Sequence, residues 1–302
     1  MLPLIYHPNY SCPFPEEHRF VMSKFRRLYD YVQSRGYIAP GNANLFQPET
    51  ASVEDLAIAH DRDYLQGMLT NDLTKQVWRR IGLPWSQGLI DRTVTAPNGT
   101  LLTAEKALEH GMACHLAGGT HHAHRDFGSG FCILNDLAYA ALRLVETGRA
   151  RQILIFDCDV HQGDGTAAIL HHHDHIFTCS IHCEKNFPFR KSDSDLDIGL
   201  ASDISEDEYL NVVMRTFEQL IAVLSPDLVL YDAGVDVWAE DDLGLLDISW
   251  QGIEQRDYGI LKTCQDRGIP VATVIGGGYD RDHERLARRH GIVVDQAYRL
   301  VG

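Results

Sequence analysis

Asp159-Val160-His161 sets a carboxylate and an imidazole two residues apart. In an extended segment side chains alternate, so the two project to one side, and Asp157 shares their parity. Both ligand types suit zinc, and a third carboxylate would complete a catalytic site that keeps one position open for water. Asp236, in Asp232-Ala233-Gly234-Val235-Asp236, is the natural candidate. A lone Asp-x-His pair also serves as polar capping at a strand end; the acid-rich stretch Asp157–Asp164 together with the distant Asp236 favours a metal. Upstream, His121-His122 follows Gly118-Gly119-Thr120, where small residues let backbone and substrate approach closely. Two imidazoles beside an activated water can divide the roles of general base and general acid. Each needs a partner to orient it, and Asp157 and Asp164 are spare carboxylates in the same cluster. The alternatives are a second metal site or a surface histidine pair.

The elements that must position these residues are short apolar runs alternating with helical patterns. Candidate buried strands are Ile153–Phe156, Ile176–Ile181, Leu228–Tyr231 and Val271–Ile275. Helical segments are expected over Gly99–His110, over Ala138–Glu146, from the capping box Ser205/Glu208 to Leu224, and over Trp250–Arg267. Such alternation implies an α/β fold: one open, mostly parallel sheet with helices on both faces, in a single domain spanning residues 1–302. Ligands of such sheets bind beyond the carboxyl ends of the strands. Three polar clusters sit there: Asp157–Asp164, Asp232–Asp236 and Gly276-Gly277-Gly278-Tyr279. Three at equivalent places indicate one converging site.

Composition narrows the partners. The net charge is −15, from 42 acidic and 27 basic residues, so the body repels phosphate backbones and direct nucleic-acid binding is not expected. Such a charge serves first to keep a protein soluble; it would also mildly attract a cationic substrate such as a lysine-rich segment or a polyamine. No apolar run reaches membrane-spanning length and no secretory signal is visible, so a cytoplasmic location without membrane attachment is expected. Seven cysteines, none in a C-x-x-C pair, read as reduced thiols. The oligomeric state is not fixed by the sequence.

Gly118-Gly119-Thr120-His121-His122-Ala123, Gly130-Phe131-Cys132 and Asn135-Asp136 together resemble the signature region of the histone deacetylase superfamily. Asp157–Gly165 is similar to its metal motif, Ala233–Asp236 with Asp241-Asp242-Leu243-Gly244 to its third-ligand loop, and Gly276–Tyr279 to its catalytic-tyrosine loop. Leu83-Pro84-Trp85-Ser86, His161-Gln162 and Glu184–Phe189 look most like class IV members and their bacterial relatives. The resemblance spans essentially the whole chain and implies the arginase-like deacetylase fold.

It also implies a role for each matching residue. Asp159, His161 and Asp236 would bind zinc, with Fe(II) an alternative occupant. His121 would pair with Asp157, His122 with Asp164, and Tyr279 would donate to the scissile carbonyl. Gly130, Phe131, Phe187, Leu243 and Gly277 would line the substrate tunnel, and Arg19 an inner channel for the released acid. Asp157, Asp159, His161, Ser180 and Ile181 would form an inner potassium site. Two departures stand out: Cys158 replaces an aliphatic residue between the two aspartates, and Asp164 stands where class IV relatives often carry Asn. The run His171–His175, with its four histidines, is expected to be a solvated or structural segment.

The implied activity is zinc-dependent hydrolysis of N-ε-acyl-lysine in proteins or peptides. An acetylpolyamine deacetylase keeps the chemistry and changes the substrate. A non-catalytic acyl-lysine binding protein is disfavoured because every catalytic position is filled, and a binuclear manganese hydrolase would want more carboxylate ligands.

Overall fold

The computed structural model describes residues 1–171 and 173–301. Eight strands, β1 (Leu4–Ile5), β2 (Leu45–Phe46), β3 (Met112–His115), β4 (Ile153–Asp157), β5 (Ile176–Cys183), β6 (Leu196–Leu200), β7 (Leu228–Asp232) and β8 (Val271–Val274), pair in the order β2-β1-β3-β8-β7-β4-β5-β6. Every ladder between these strands is parallel. Residues of β3, β4, β7 and β8 are buried throughout, which is why β4, β7 and β8 read as largely apolar runs rather than alternating ones. Alternation appears instead in which core each residue joins. Ile153, Ile155, Leu228 and Leu230 face one layer with Leu137 and Leu144 of the helix Asp136–Glu146. Leu154, Phe156, Val229 and Tyr231 face the other, where the Phe156 and Phe217 rings meet at 4.9 Å.

Helix starts follow side-chain caps. Asn135 Oδ1 accepts from Ala138 N, Ser205 Oγ from Glu208 N, and Ser249 Oγ from Gly252 N. The helix expected at Gly99–His110 instead begins at Gln87, capped by Ser86, and carries Pro97 inside it. Proline reads as a break, but buried residues from Leu89 to Ala107 pack along the full length, and tertiary packing outweighs the one lost hydrogen bond. No helix among the described residues is long and apolar enough to cross a membrane.

The four neighbours β3, β8, β7 and β4 are followed by Leu116–His122, Ile275–Tyr279, Ala233–Asp236 and Cys158–Asp164. Strands less than about 5 Å apart carry these four segments to one edge of the sheet. The sequence marks three of the four strands; β3, Met-Ala-Cys-His, lacks the β-branched residues that would identify it.

Two buried histidines brace that edge. Asn135 N donates to His60 Nε2 at 2.9 Å, with His60 Nδ1 3.0 Å from the His124 carbonyl. His115 lies between Tyr10 Oη (2.7 Å) and Thr100 Oγ1 (3.0 Å). Burial pushes His60 down to about 4 and His115 to about 3. Both are neutral when folded at neutral pH, whereas the unfolded chain binds protons below about pH 6.5, so stability falls as pH drops from there toward 4. Each site should lose about 2 kcal/mol by pH 5. Thermal unfolding should therefore give a clearly lower Tm at pH 5 than at pH 7; an unchanged Tm contradicts the neutral, buried assignment.

Candidate metal and catalytic site

Asp159, His161 and Asp236 each offer a ligand atom within 4.8 Å of the others, and all three are buried. The segment carrying the first two is not the extended continuation of β4 that their spacing implied. Asp157 Oδ1 accepts from Asp159 N, and Asp159 Oδ1 from His161 N, both at 2.9 Å. These successive Asx turns aim the side chains inward. His161 Nδ1 lies 3.0 Å from Asp159 Oδ1 and 3.2 Å from Asp236 Oδ2. Backbone groups fix the remaining carboxylate oxygens: Gly277 N donates to Asp159 Oδ2 at 2.6 Å and Val160 N to Asp236 Oδ1 at 2.8 Å. Burial disfavours charge on His161, but its bonds to Asp159 and Asp236 push its pKa up to about 10. Burial and then Asp159 push Asp236 upward. Two closely spaced buried carboxylates with one imidazole are a donor set that a divalent cation relieves and fits.

Beside this group, His121 Nδ1 lies 2.7 Å from Asp157 Oδ2 and His122 Nδ1 2.6 Å from Asp164 Oδ1. The second oxygen of Asp164 lies 3.1 Å from His124 Nε2, a partner the sequence reading passed over although it stands two residues beyond the pair. The two rings, 4.1 Å apart, are held in opposite states. Burial opposes charge on His121, yet Asp157 and Asp159 raise it well above the ordinary histidine value. Burial and then the His121 charge lower His122 to about 4. Their loop is anchored by buried Asp136, which accepts from Gly119 N (3.1 Å), Thr120 N (2.7 Å) and Thr120 Oγ1 (2.6 Å). Asp232 also closes on His121 and Asp157. Both its oxygens lack a hydrogen-bond partner among the described residues, and burial followed by the Asp157 charge pushes its carboxyl well up.

Tyr279 is positioned by Asp241, which accepts from Tyr279 N at 2.7 Å and from Leu243 N at 2.9 Å, and is itself bound by fully buried Arg289 at 3.1 Å. Burial and then the charge of Asp236 push the Tyr279 hydroxyl well up, so it stays protonated. An outer groove of about 350 Å³ is lined by Phe131, Phe187, Leu243, Gly130, Tyr279 and Arg19, among others. Gly130 and Phe131 both adopt positive φ, +53° and +65°. For phenylalanine this is strained; it is held by Phe131 N donating to the Ile81 carbonyl at 2.8 Å and by ring packing against Phe20 and Tyr279. A side chain at Gly130 would strike the His122 ring, 2.6 Å away.

The expected inner-channel arginine is elsewhere. Arg19 is exposed at the mouth of the outer groove, because the chain turns inward only at Phe20. The inner cavity, about 40 Å³ and bordered by His121, His122, Asp159, His161, Gly277 and Tyr279, instead meets two other cations, Lys24 and Arg92. Gly277 lies against the candidate ligands rather than along the outer groove.

The histone deacetylase domain family matches residues 18–295. The chain belongs to the histone deacetylase family. It is 48% identical over 291 residues to a Picosynechococcus sp. protein described only as uncharacterized, covering 96% of each chain. It is 28% identical to histone deacetylase 2 of Arabidopsis thaliana, over 94% of this chain and 76% of that one. A crystal structure of a histone deacetylase homologue from Aquifex aeolicus superposes with a TM-score of 0.78 at 22% identity, covering 98% of this chain and 84% of that one, which shows the shared fold.

Three further groups of residues named from the sequence lie as follows. Ser180 pairs in register with Asp157, its hydroxyl 3.0 Å from His182 Nδ1, and Ile181 beside it is buried. Cys158 is buried and burial pushes its thiol well up, which makes it inert. Of the histidine run, His172 lies outside the described residues; His171 and His175 are exposed and His173 is half-buried, and none belongs to a metal-capable group among the described residues.

The glycine at 277 yields a test. An added Cβ would lie 2.5 Å from Asp159 Oδ2 and closer still to Asp236 Oδ2. Gly277→Ala should weaken zinc binding by roughly the 10–100-fold seen when ligand-orienting groups are disturbed. Gln33→Ala, exposed on the helix Lys24–Ser34, is the control. Equal zinc affinity in Gly277→Ala and parent, by competition with a chromogenic chelator, contradicts the assignment.

Proposed function

We propose that the protein is a zinc-dependent amidohydrolase that removes acyl groups from N-ε-acyl-lysine. One observation carries this reading: three buried ligand-type side chains, two carboxylate-paired imidazoles and a protonated tyrosine converge at the inner end of an aromatic-walled groove. Asp159, His161 and Asp236 would hold the zinc, which when bound supplies Lewis-acid polarisation of the scissile carbonyl and of the attacking water.

The remaining steps belong to side chains. His122, kept neutral by burial and by its charged neighbour, takes a proton from water through Nε2, because Nδ1 is committed to Asp164. His121, kept protonated against Asp157, supplies positive charge beside the developing anion. Tyr279 donates its hydroxyl to the carbonyl oxygen. The amide C–N bond then breaks with proton transfer to the leaving amine, giving one acid and one free lysine. Phe131 and Phe187 flank the methylene stem, each CH₂ of which gains about 0.8 kcal/mol on desolvation. A slim, unbranched chain is what such a groove favours.

Purified protein should deacylate an acetyl-lysine peptide and lose that activity in chelator. Tyr279→Phe should keep its metal while kcat falls about 10²–10³-fold, as on loss of one oxyanion donor, with a smaller change in KM. Near-normal kcat in that variant, or full activity without metal, sinks the reading.

A further inference from the structure

Lys24 and Arg92 are 3% and 5% exposed, and both border the inner cavity. Neither has a carboxylate partner: among the described residues no ion pair involves either side chain. Lys24 Nζ has one hydrogen-bond partner, His290 Nε2 at 3.3 Å. That imidazole spends its other nitrogen on the Ile275 carbonyl, and burial keeps it neutral, so it accepts from Lys24 without balancing its charge. The Arg92 guanidinium makes no hydrogen bond among the described residues; its Nε is buried and unpartnered, and it stacks over Phe25 at 4.6 Å and Phe20 at 5.6 Å. Burying a cation without a counter-charge is costly, and burying two side by side compounds the cost. The carboxylates that act on Lys24 are Asp236 and Asp159, which the metal would neutralise, and Asp241, which Arg289 already pairs; Asp136, which acts on Arg92, is committed to Gly119 and Thr120.

An anion is what this cavity lacks. The cavity also lies on the acyl side of the site. The outer groove takes the lysine stem, and the two spaces share His122, His161, Gly130, Phe131 and Tyr279 as their common wall. Whatever hangs beyond the scissile carbonyl must enter the inner space, whose volume of about 40 Å³ accommodates roughly three water-sized groups. Room of that size favours a short chain over a long hydrocarbon tail.

We propose that the inner cavity selects short acyl groups ending in a carboxylate, such as succinyl, with Lys24 and Arg92 as the specificity-determining cations. The inference rests on the acyl-lysine reading above and narrows it. Hydrolysis is balanced as before: the amide C–N bond breaks, water supplies hydroxyl to the acyl carbon and hydrogen to the amine, and the products are a dicarboxylate and lysine. Arg92 offers a planar fork of donors to the distal carboxylate, and Lys24 a point charge.

The test compares peptides carrying succinyl-lysine, its neutral isostere succinamoyl-lysine, and acetyl-lysine, on the metal-loaded parent and on Lys24→Met and Arg92→Met. The parent should give a kcat/KM for succinyl at least tenfold above that for succinamoyl, and each variant should reduce this ratio at least fivefold. A ratio within one protein is unaffected by the fraction folded. Succinamoyl cleaved as well as succinyl by the parent overturns the proposal, as does a ratio preserved in both variants. Cleavage of acetyl-lysine alone leaves the deacylase reading standing and removes this one; cleavage of none of the three removes both.

Discussion

Asp159 and Asp236 share a single imidazole and are themselves almost wholly buried, and the surrounding architecture follows from keeping them there. Two buried carboxylates so close repel more strongly than they would in bulk solvent. The backbone answers with N–H donors from Gly277 and Val160, and those donors require glycines at 277 and 234, because any side chain there would displace the carboxylates. Fully buried Arg256 adds the last brace, donating to the carbonyls of Cys158 and Gly234, one from each ligand-bearing segment. A divalent cation held by Asp159, His161 and Asp236 would complete this balance.

Around that pair the charges are arranged in opposite senses on the two histidines. Asp157 and Asp164 each hold one imidazole, yet His121 is driven toward the charged form and His122 toward the neutral one. The difference arises because Asp157 and Asp159 both act on His121, whereas burial and then the charge on His121 weigh against a proton on His122. Division of labour between adjacent identical residues thus comes from the carboxylates around the first and from the charge the first presents to the second.

Much of this was legible in the sequence where function is local. Asp157–Asp164 and His121-His122 advertise themselves because ligands and partners fall within a few residues, and the strand before each polar cluster is a plain apolar run. The resemblance to histone deacetylases was equally legible, and the family match bears it out. What escaped is what depends on absence in three dimensions. Nothing in the sequence distinguishes Lys24 or Arg92 from a solvated cation; only burial without a carboxylate does so. Asp232, the last residue of β7, likewise reads as an ordinary strand end. Arg19 was matched by its neighbours His18 and Phe20, but one residue of chain direction separates the outer mouth from the interior. The helix start at Gln87 was hidden by Pro97, since packing along a 24-residue helix is invisible to local propensity.

The central claim is that one divalent ion sits between Asp159, His161 and Asp236. Crystals grown with zinc, measured on either side of the zinc absorption edge, test it directly. The account predicts one anomalous peak bounded by those three side chains. A peak placed instead among His121, Asp157 and Asp232, the other buried group of metal-binding type, or no peak at saturating zinc, would contradict it.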